Sequence, residues 1–125
     1  MKTHKIIDRE LCGEPVDLKE GFSRVMLKTL DRMKVDETGL VHGGFIFGLA
    51  DYAAMLAVNH PNVVLGAADV KFLKPVKAGE IAFAEARVES SKSKKSVVNV
   101  VVTIENTEVF KGLFTCFVLD QHVLK

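Results

Sequence analysis

Across the run Gly43–Val58, GGFIFGLADYAAMLAV, one residue alone carries a charge: Asp51. Moving a carboxylate into apolar surroundings costs several kcal/mol unless it is paired, solvated or protonated. Two accounts fit its presence. Asp51 is either ion-paired with a lysine or arginine, or set against a polar gap in a sheet. Alternatively, partial desolvation tunes it for work as a general base or nucleophile. A second group of interest, His42-Gly43-Gly44, opens the same run. A helix start leaves backbone N–H groups unpaired and carries a partial positive charge. Glycines there let an oxygen approach closely, which is what polarising a carbonyl and holding an oxyanion requires. Paired glycines also occur simply as a turn before a helix. Asp51 follows Gly43 by eight residues, roughly 12 Å along a helix axis. One carbonyl cannot touch both on the same helix, whereas two antiparallel copies bring Gly43 of one near Asp51 of the other. If both groups serve one reaction, the active unit is at least a two-fold homodimer with two equivalent sites.

These residues need a helix to hold them. Alanine, leucine and methionine favour one over Gly43–Val58, with Asn59 and Pro61 as stop signals. Its apolar residues lie on every side, so it is expected to be buried on nearly all faces. After it come four strand-like segments rich in valine, isoleucine and phenylalanine: Val63–Leu73, Glu80–Ser90, Lys95–Glu105 and Val109–Leu119. Short turns between them imply antiparallel pairing. Before the helix the pattern is less legible. Ile6–Leu11 fits a short strand or a helical turn, Gly13-Glu14-Pro15 reads as a turn, and Phe22–Val35 fits strand or helix. One long central helix and about four antiparallel strands predict an α+β fold, the curved sheet wrapped around the helix.

The chain has 125 residues, 48% of them hydrophobic and 26% charged, which predicts a single domain over residues 1–125 with a core of its own. A net charge of +1 provides no bulk field for nucleic acid or an anionic membrane. Cys12 and Cys116 belong to no CxxC or Cys/His cluster, so they read as reduced, buried thiols, with neither a metal site nor a disulfide framework expected. Met1–Arg9 lacks the apolar core of a signal peptide, and the Gly43–Val58 run is short for a membrane span. A soluble cytoplasmic protein is the expectation.

The segment Gly39–Asp51, with HGG at His42–Gly44 and Leu49-Ala50-Asp51 in register, resembles the hotdog-fold acyl-CoA thioesterases of the PaaI-like (4HBT-type) family. Val70-Lys71-Phe72-Leu73-Lys74-Pro75 with Gly79 is similar to the family's second landmark, and the likeness covers about residues 20–119. It implies the hotdog fold, a homodimer or homotetramer, and hydrolysis of an acyl-CoA thioester with no cofactor beyond the coenzyme A of the substrate. By analogy, Gly43 N–H polarises the thioester carbonyl and Asp51 of a partner subunit activates water or attacks directly. His42 orients the loop or the sulfur, or only hydrogen-bonds backbone. Gly44, Phe45 and Tyr52 are candidate substrate contacts, Tyr52 fitting an acyl pocket or the core. Of the lysines grouped at Lys71–Lys77 and Lys92–Lys95, Lys71 and Lys74 are the candidates for coenzyme A phosphates, against a solvated surface. Asp36 stands where many relatives carry Asn, a second carboxylate that could bear on Asp51 or point to solvent. A non-catalytic acyl-CoA or acyl-carrier binding protein is the alternative, and a hydratase ranks last for want of the extended His-x-Pro loop. A regulator would need an added DNA-binding segment, for which about twenty residues before the sheet leave no room.

Overall fold

A computed structural model of the chain describes residues 1–125. A four-residue helical turn, α1 (Arg9–Cys12), precedes strands β1 (Glu14–Lys19) and β2 (Phe22–Lys28) and a short 3-10 turn at Asp31–Met33. Helix α2 (Gly43–Val58) follows, then β3 (Val63–Phe72), β4 (Ile81–Lys92), β5 (Lys95–Ile104) and β6 (Thr107–Val118). The six strands form one fully antiparallel sheet in the order β1-β2-β4-β5-β6-β3. The sheet curls around α2, which packs mainly on β2, β4 and β5. This is the hotdog arrangement the resemblance implies.

The helix begins and ends where its residues require. Asn59 takes a left-handed conformation (φ 52°) and its N–H donates to the Met55 carbonyl at 2.8 Å, closing the last turn. Ala82, Ala84 and Ala86 point from β4 at the helix and are fully buried, as are Ala50, Ala53 and Ala54 on α2. Small residues on both surfaces let helix and sheet approach closely, and Val98, Val100, Phe110 and Phe114 fill the flanks. A fully buried Ser23 hydroxyl donates to the Ala53 carbonyl at 2.6 Å, tying β2 to the helix.

The differences from expectation lie in the first third of the chain. Gly13-Glu14-Pro15 is not a free turn. Gly13 caps α1 at φ 116°, and β1 starts at once with Glu14. Pro15 is tolerated because β1 is an edge strand, where a missing N–H costs no central ladder bond. A Cβ on Gly13 would lie 2.7 Å from Val25 Cγ1, so only glycine fits this close passage. Phe22–Val35 resolves into a strand followed by the 3-10 turn, giving six strands rather than four. Cys12 is half-buried rather than buried, and both thiols are free.

Overpacking the alanine seam should show its importance. Ala84→Leu is expected to destabilise the chain by about 1–3 kcal/mol. Urea unfolding at fixed protein concentration would read this as a lower midpoint with an unchanged slope.

Candidate active site

Asp51 sits in the middle of α2 on the one stretch of the helix that the sheet does not close. Gly44, Gly48 and Asp51 are spaced four and three apart and so share a face. Gly44 is exposed, Gly48 half-buried with nothing within 4 Å of where its Cβ would be, and Asp51 half-buried. One carboxylate oxygen, Oδ1, is buried and has no hydrogen-bond partner. None of the chain's ion pairs includes Asp51, so the ion-pair account of its presence fails within one chain. Desolvation pushes its pKa up to about 6. Thiols rather than amines feel its charge: burial pushes Cys116 up to about 12 with Asp51 adding to it, and Cys12 is raised by burial, then Asp8, then Asp51.

At the helix start, His42 is the N-cap. Its backbone N–H donates to Met33 at 3.0 Å and its carbonyl accepts from Phe45 at 3.1 Å. The imidazole makes no capping bond. Instead it folds over Gly44, where a Cβ would stand 2.8 Å from Nε2, and meets the Phe45 ring edge-on at 6.1 Å. No backbone carbonyl accepts from the Gly43 or Gly44 N–H. The Phe72 ring packs on Gly43, where a Cβ would lie 3.1 Å from Cε2, and is itself set edge-on to Phe110 at 5.0 Å. Gly43 therefore leaves room for a ring and keeps a free N–H at the positive end of the helix.

A cleft of about 310 Å³ opens beside Gly43, walled by Ile46, Phe72, Leu73, Pro75 and Val109, with Lys74 also on its lining. A larger cavity of about 590 Å³, bounded by residues 2–7, 61–64 and 122–123, touches neither Gly43 nor Asp51. Lys71 is exposed on the outer side of β3, away from the cleft that Phe72 lines. Tyr52 is 1% exposed, its ring stacked on His4 at 6.1 Å, so within this chain it is a core residue rather than a cleft wall. Asp36 is exposed in the loop before His42, where its Oδ1 accepts from the Thr38 hydroxyl at 2.6 Å and the Thr38 N–H at 3.0 Å. Those bonds, the hydroxyl foremost, hold its carboxyl below the usual range. Burial is what raises Asp51, and Asp36 contributes nothing to that shift. Phe72, which the sequence places in the Val70–Pro75 landmark but not among the candidate site residues, packs directly on Gly43. Its signal was an aromatic at the end of a strand, just before Leu73-Lys74-Pro75. No three His, Cys, Asp or Glu side chains converge as metal ligands, and no helix is long and apolar enough to cross a membrane.

Residues 38–111 match the family model described as thioesterase superfamily. The chain is 54% identical over 122 residues to a methylthioribose-1-phosphate isomerase of Aquifex aeolicus, covering 97% of this chain and 27% of that protein. It is 30% identical over 125 residues to the transcription factor FapR of Caldanaerobacter subterraneus subsp. tengcongensis, covering 99% of this chain and 62% of that protein. The chain thus spans less than two-thirds of the length of either relative. Among solved structures, an uncharacterised protein of Pyrococcus horikoshii superposes with a TM-score of 0.98 at 56% identity, covering 99% of this chain and 95% of that one. A Streptococcus mutans protein bound to acetyl-CoA superposes with a TM-score of 0.83 at 28% identity, covering 95% and 97% respectively.

The Asp51 carboxyl should leave a mark on stability. Unfolded, it titrates near the usual ~3.9; folded, at about 6. Between those values the folded state holds the extra proton, so this contribution is full below the unfolded value and is lost as pH rises through the folded one. Asp51→Asn, neutral throughout, is expected to be roughly 2–3 kcal/mol more stable than the parent near pH 8 and much closer to it near pH 4. Denaturant titrations of both proteins across that range would reveal the converging curves.

Proposed function

The chain belongs to the thioesterase superfamily, and from that premise we propose that it hydrolyses an acyl-CoA thioester to the carboxylic acid and free coenzyme A. The observation that carries this reading is the unpartnered Asp51 carboxylate, raised to about 6 on an otherwise apolar helix. At neutral pH such a group is mostly ionised yet basic enough to take a proton from water. In the proposed reaction the water oxygen attacks the thioester carbon and its proton passes to Asp51. The charge that develops on the carbonyl oxygen is met by the Gly43 N–H. The C–S bond then breaks, and the departing thiolate takes the proton back from Asp51. Direct attack by Asp51, with water cleaving the resulting anhydride, gives the same products.

Along one helix the two groups are roughly 12 Å apart, so the site needs two chains. The open face of Gly44, Gly48 and Asp51 is where a second α2 fits in antiparallel, because Gly48 offers no side chain to hold it off. Each site then takes Gly43 from one protomer and Asp51 from its partner. Packed over Gly44, the His42 ring fixes the shape of the loop that presents these N–H groups. The apolar cleft beside Gly43 suits the pantetheine arm, with Lys74 placed to meet phosphate. Support for the ligand comes from the Streptococcus mutans structure with acetyl-CoA. Two free thiols suit the reducing cytoplasm, where we place the protein.

A second reading, acyl-CoA binding without hydrolysis, draws on the full-length similarity of this chain to a transcription factor. Thiol release separates the two. In a thiol-trapping assay over acetyl-, octanoyl-, palmitoyl- and phenylacetyl-CoA, the parent should turn over at least one substrate, with kcat rising with pH through about 6. Asp51→Asn should fold and lose at least about 100-fold in kcat. Undiminished turnover by that variant would remove Asp51 from the chemistry. Ligand-induced thermal stabilisation with no thiol release from the parent would favour the binding protein.

A further inference from the structure

The cavity of about 590 Å³ that touches neither Gly43 nor Asp51 is walled by three segments far apart in sequence. The residues before α1 form one wall. The Lys2 N–H donates to Asn59 Oδ1 at 2.7 Å, and the Ile7 N–H to the His4 carbonyl at 3.3 Å. Between them His4 takes a left-handed conformation (φ 55°), uncommon for a residue with a side chain. Its Nδ1 shares a 2.8 Å hydrogen bond with the hydroxyl of the buried Thr3, and its ring stacks on Tyr52. Asn62, just before β3, ties the second wall to the third. Its side-chain amide donates to the Leu119 carbonyl at 3.2 Å, and the Leu119 N–H donates back to the Asn62 carbonyl at 3.2 Å. These bonds make the recess a fixed feature of the fold.

Its chemistry is one-sided. Lys2, His4, Lys5 and His122 border it, and no aspartate or glutamate does. The chain has 17 Lys and Arg against 16 Asp and Glu, so the excess is local rather than a reflection of bulk charge. Neither lysine takes part in an ion pair. The carboxylates closest in sequence are engaged elsewhere, Asp8 in capping α1 and Asp120 with Lys94. Burial lowers the His4 pKa, which makes its ring a neutral hydrogen-bonding group beside two cations. The His122 Nδ1 accepts from the Leu124 N–H at 3.1 Å, leaving Nε2 as the donor. Two ammonium groups with imidazole beside them suit a phosphate monoester, whose three terminal oxygens carry up to about two charges. The other walls are apolar, among them Ile6, Ile7, Val64 and Val123. Ile6 is 99% exposed and Val123 56%, so this chain leaves both without cover. A phosphate joined to a flat apolar ring satisfies both halves of the lining, and the volume suits a small ligand.

We propose that this recess is a second ligand site, which binds a nucleotide by its phosphate and packs the base on the apolar wall. A free nucleotide and the nucleotide end of a coenzyme A thioester share that chemistry. The second source rests on the proposed function. Antiparallel pairing sets Gly43 against the partner's Asp51, and Val58 lies seven residues beyond Asp51. The end of one helix therefore stands roughly 10 Å past Gly43 of the other chain, within reach of an extended pantetheine arm.

Calorimetric titration of the whole chain with adenosine 3′,5′-bisphosphate should show binding by the parent. Lys2→Glu/Lys5→Glu should weaken it at least about 10-fold, with an unchanged unfolding midpoint because both side chains are exposed. Lys28→Glu/Lys111→Glu makes the same change of net charge on the sheet and should leave affinity within about two-fold. In NMR spectra the ring signals of His4 and His122 should shift as the nucleotide is added. No binding by the parent, full binding by the Lys2/Lys5 variant, or an equal loss in the Lys28/Lys111 variant overturns the proposal. Kinetics then separate the sources. For the coenzyme A end, the Lys2/Lys5 variant should raise KM for octanoyl-CoA at least about 10-fold with little change in kcat, and leave KM for octanoyl-pantetheine unchanged. For a free nucleotide, the bisphosphate should bind the protein saturated with coenzyme A as well as without it, and KM should stay at the parent value. A parent that binds nucleotide through Lys2 and Lys5 yet releases no thiol would sink the hydrolase reading and leave this site standing. Thiol release by a parent that binds no nucleotide would do the reverse.

Discussion

A sixteen-residue helix that is apolar on every side must be covered almost completely, and one short chain has a single sheet to cover it with. That constraint shapes the rest of the molecule. The alanine seam of Ala82, Ala84 and Ala86 lets the sheet lie close to the helix, and long strands on either side curl round its flanks. One sheet cannot close a full circle around a helix, so a strip stays open. The strip is occupied by the residues that need it, Gly44, Gly48 and Asp51. The desolvation of Asp51 follows from the same geometry. Its flanks lie in the covered region while its edge reaches the strip, which leaves one oxygen buried and unpaired.

Much of this was legible beforehand, for identifiable reasons. The bounds of α2 follow from glycines at its entry and Asn59 and Pro61 past its end, each with a definite backbone preference. The last four strands are rich in valine, isoleucine and phenylalanine and are separated by short turns, where Ser93, Glu105 and Asn106 take positive φ. The first strand was hidden because an edge strand tolerates Pro15 and charged residues, and so looks like a turn. In the site, Asp51 and Gly43 stood out because their chemistry conflicts with their surroundings. Tyr52 and Phe72 did not sort themselves in the same way. Both are aromatic, and only the packing of distant segments decides that one goes under His4 in the core and the other over Gly43.

The fold by itself is a poor guide to the reaction. This sequence is similar to parts of a transcription factor and of an isomerase, so likeness to named relatives does not by itself give its reaction. What narrows the reading is the cost of Asp51. Within one chain the Asp51 carboxylate has no partner, and a neutral residue would fill the space at lower energy. The proposed hydrolysis makes use of that imbalance, because a desolvated carboxylate is a stronger base than a solvated one.

In the proposed dimer, pairing two helices across the strip acts on Asp51 in two opposing ways. Covering Gly48 with a second chain removes more water and pushes the carboxyl further up. The start of the partner helix, with about half a positive charge and unpaired N–H groups, pulls it down. The dipole acts strongly only within the first turn, whereas desolvation reaches every buried atom, so upward displacement persists wherever Asp51 stands back from the N–H groups by the width of a substrate carbonyl. In the proposed reaction a bound thioester occupies that gap and keeps the carboxylate from docking on the oxyanion donors itself. In the proposed site, the separation of Gly43 and Asp51 onto different chains is then what would preserve the base: on one helix start, side by side, the two would satisfy each other.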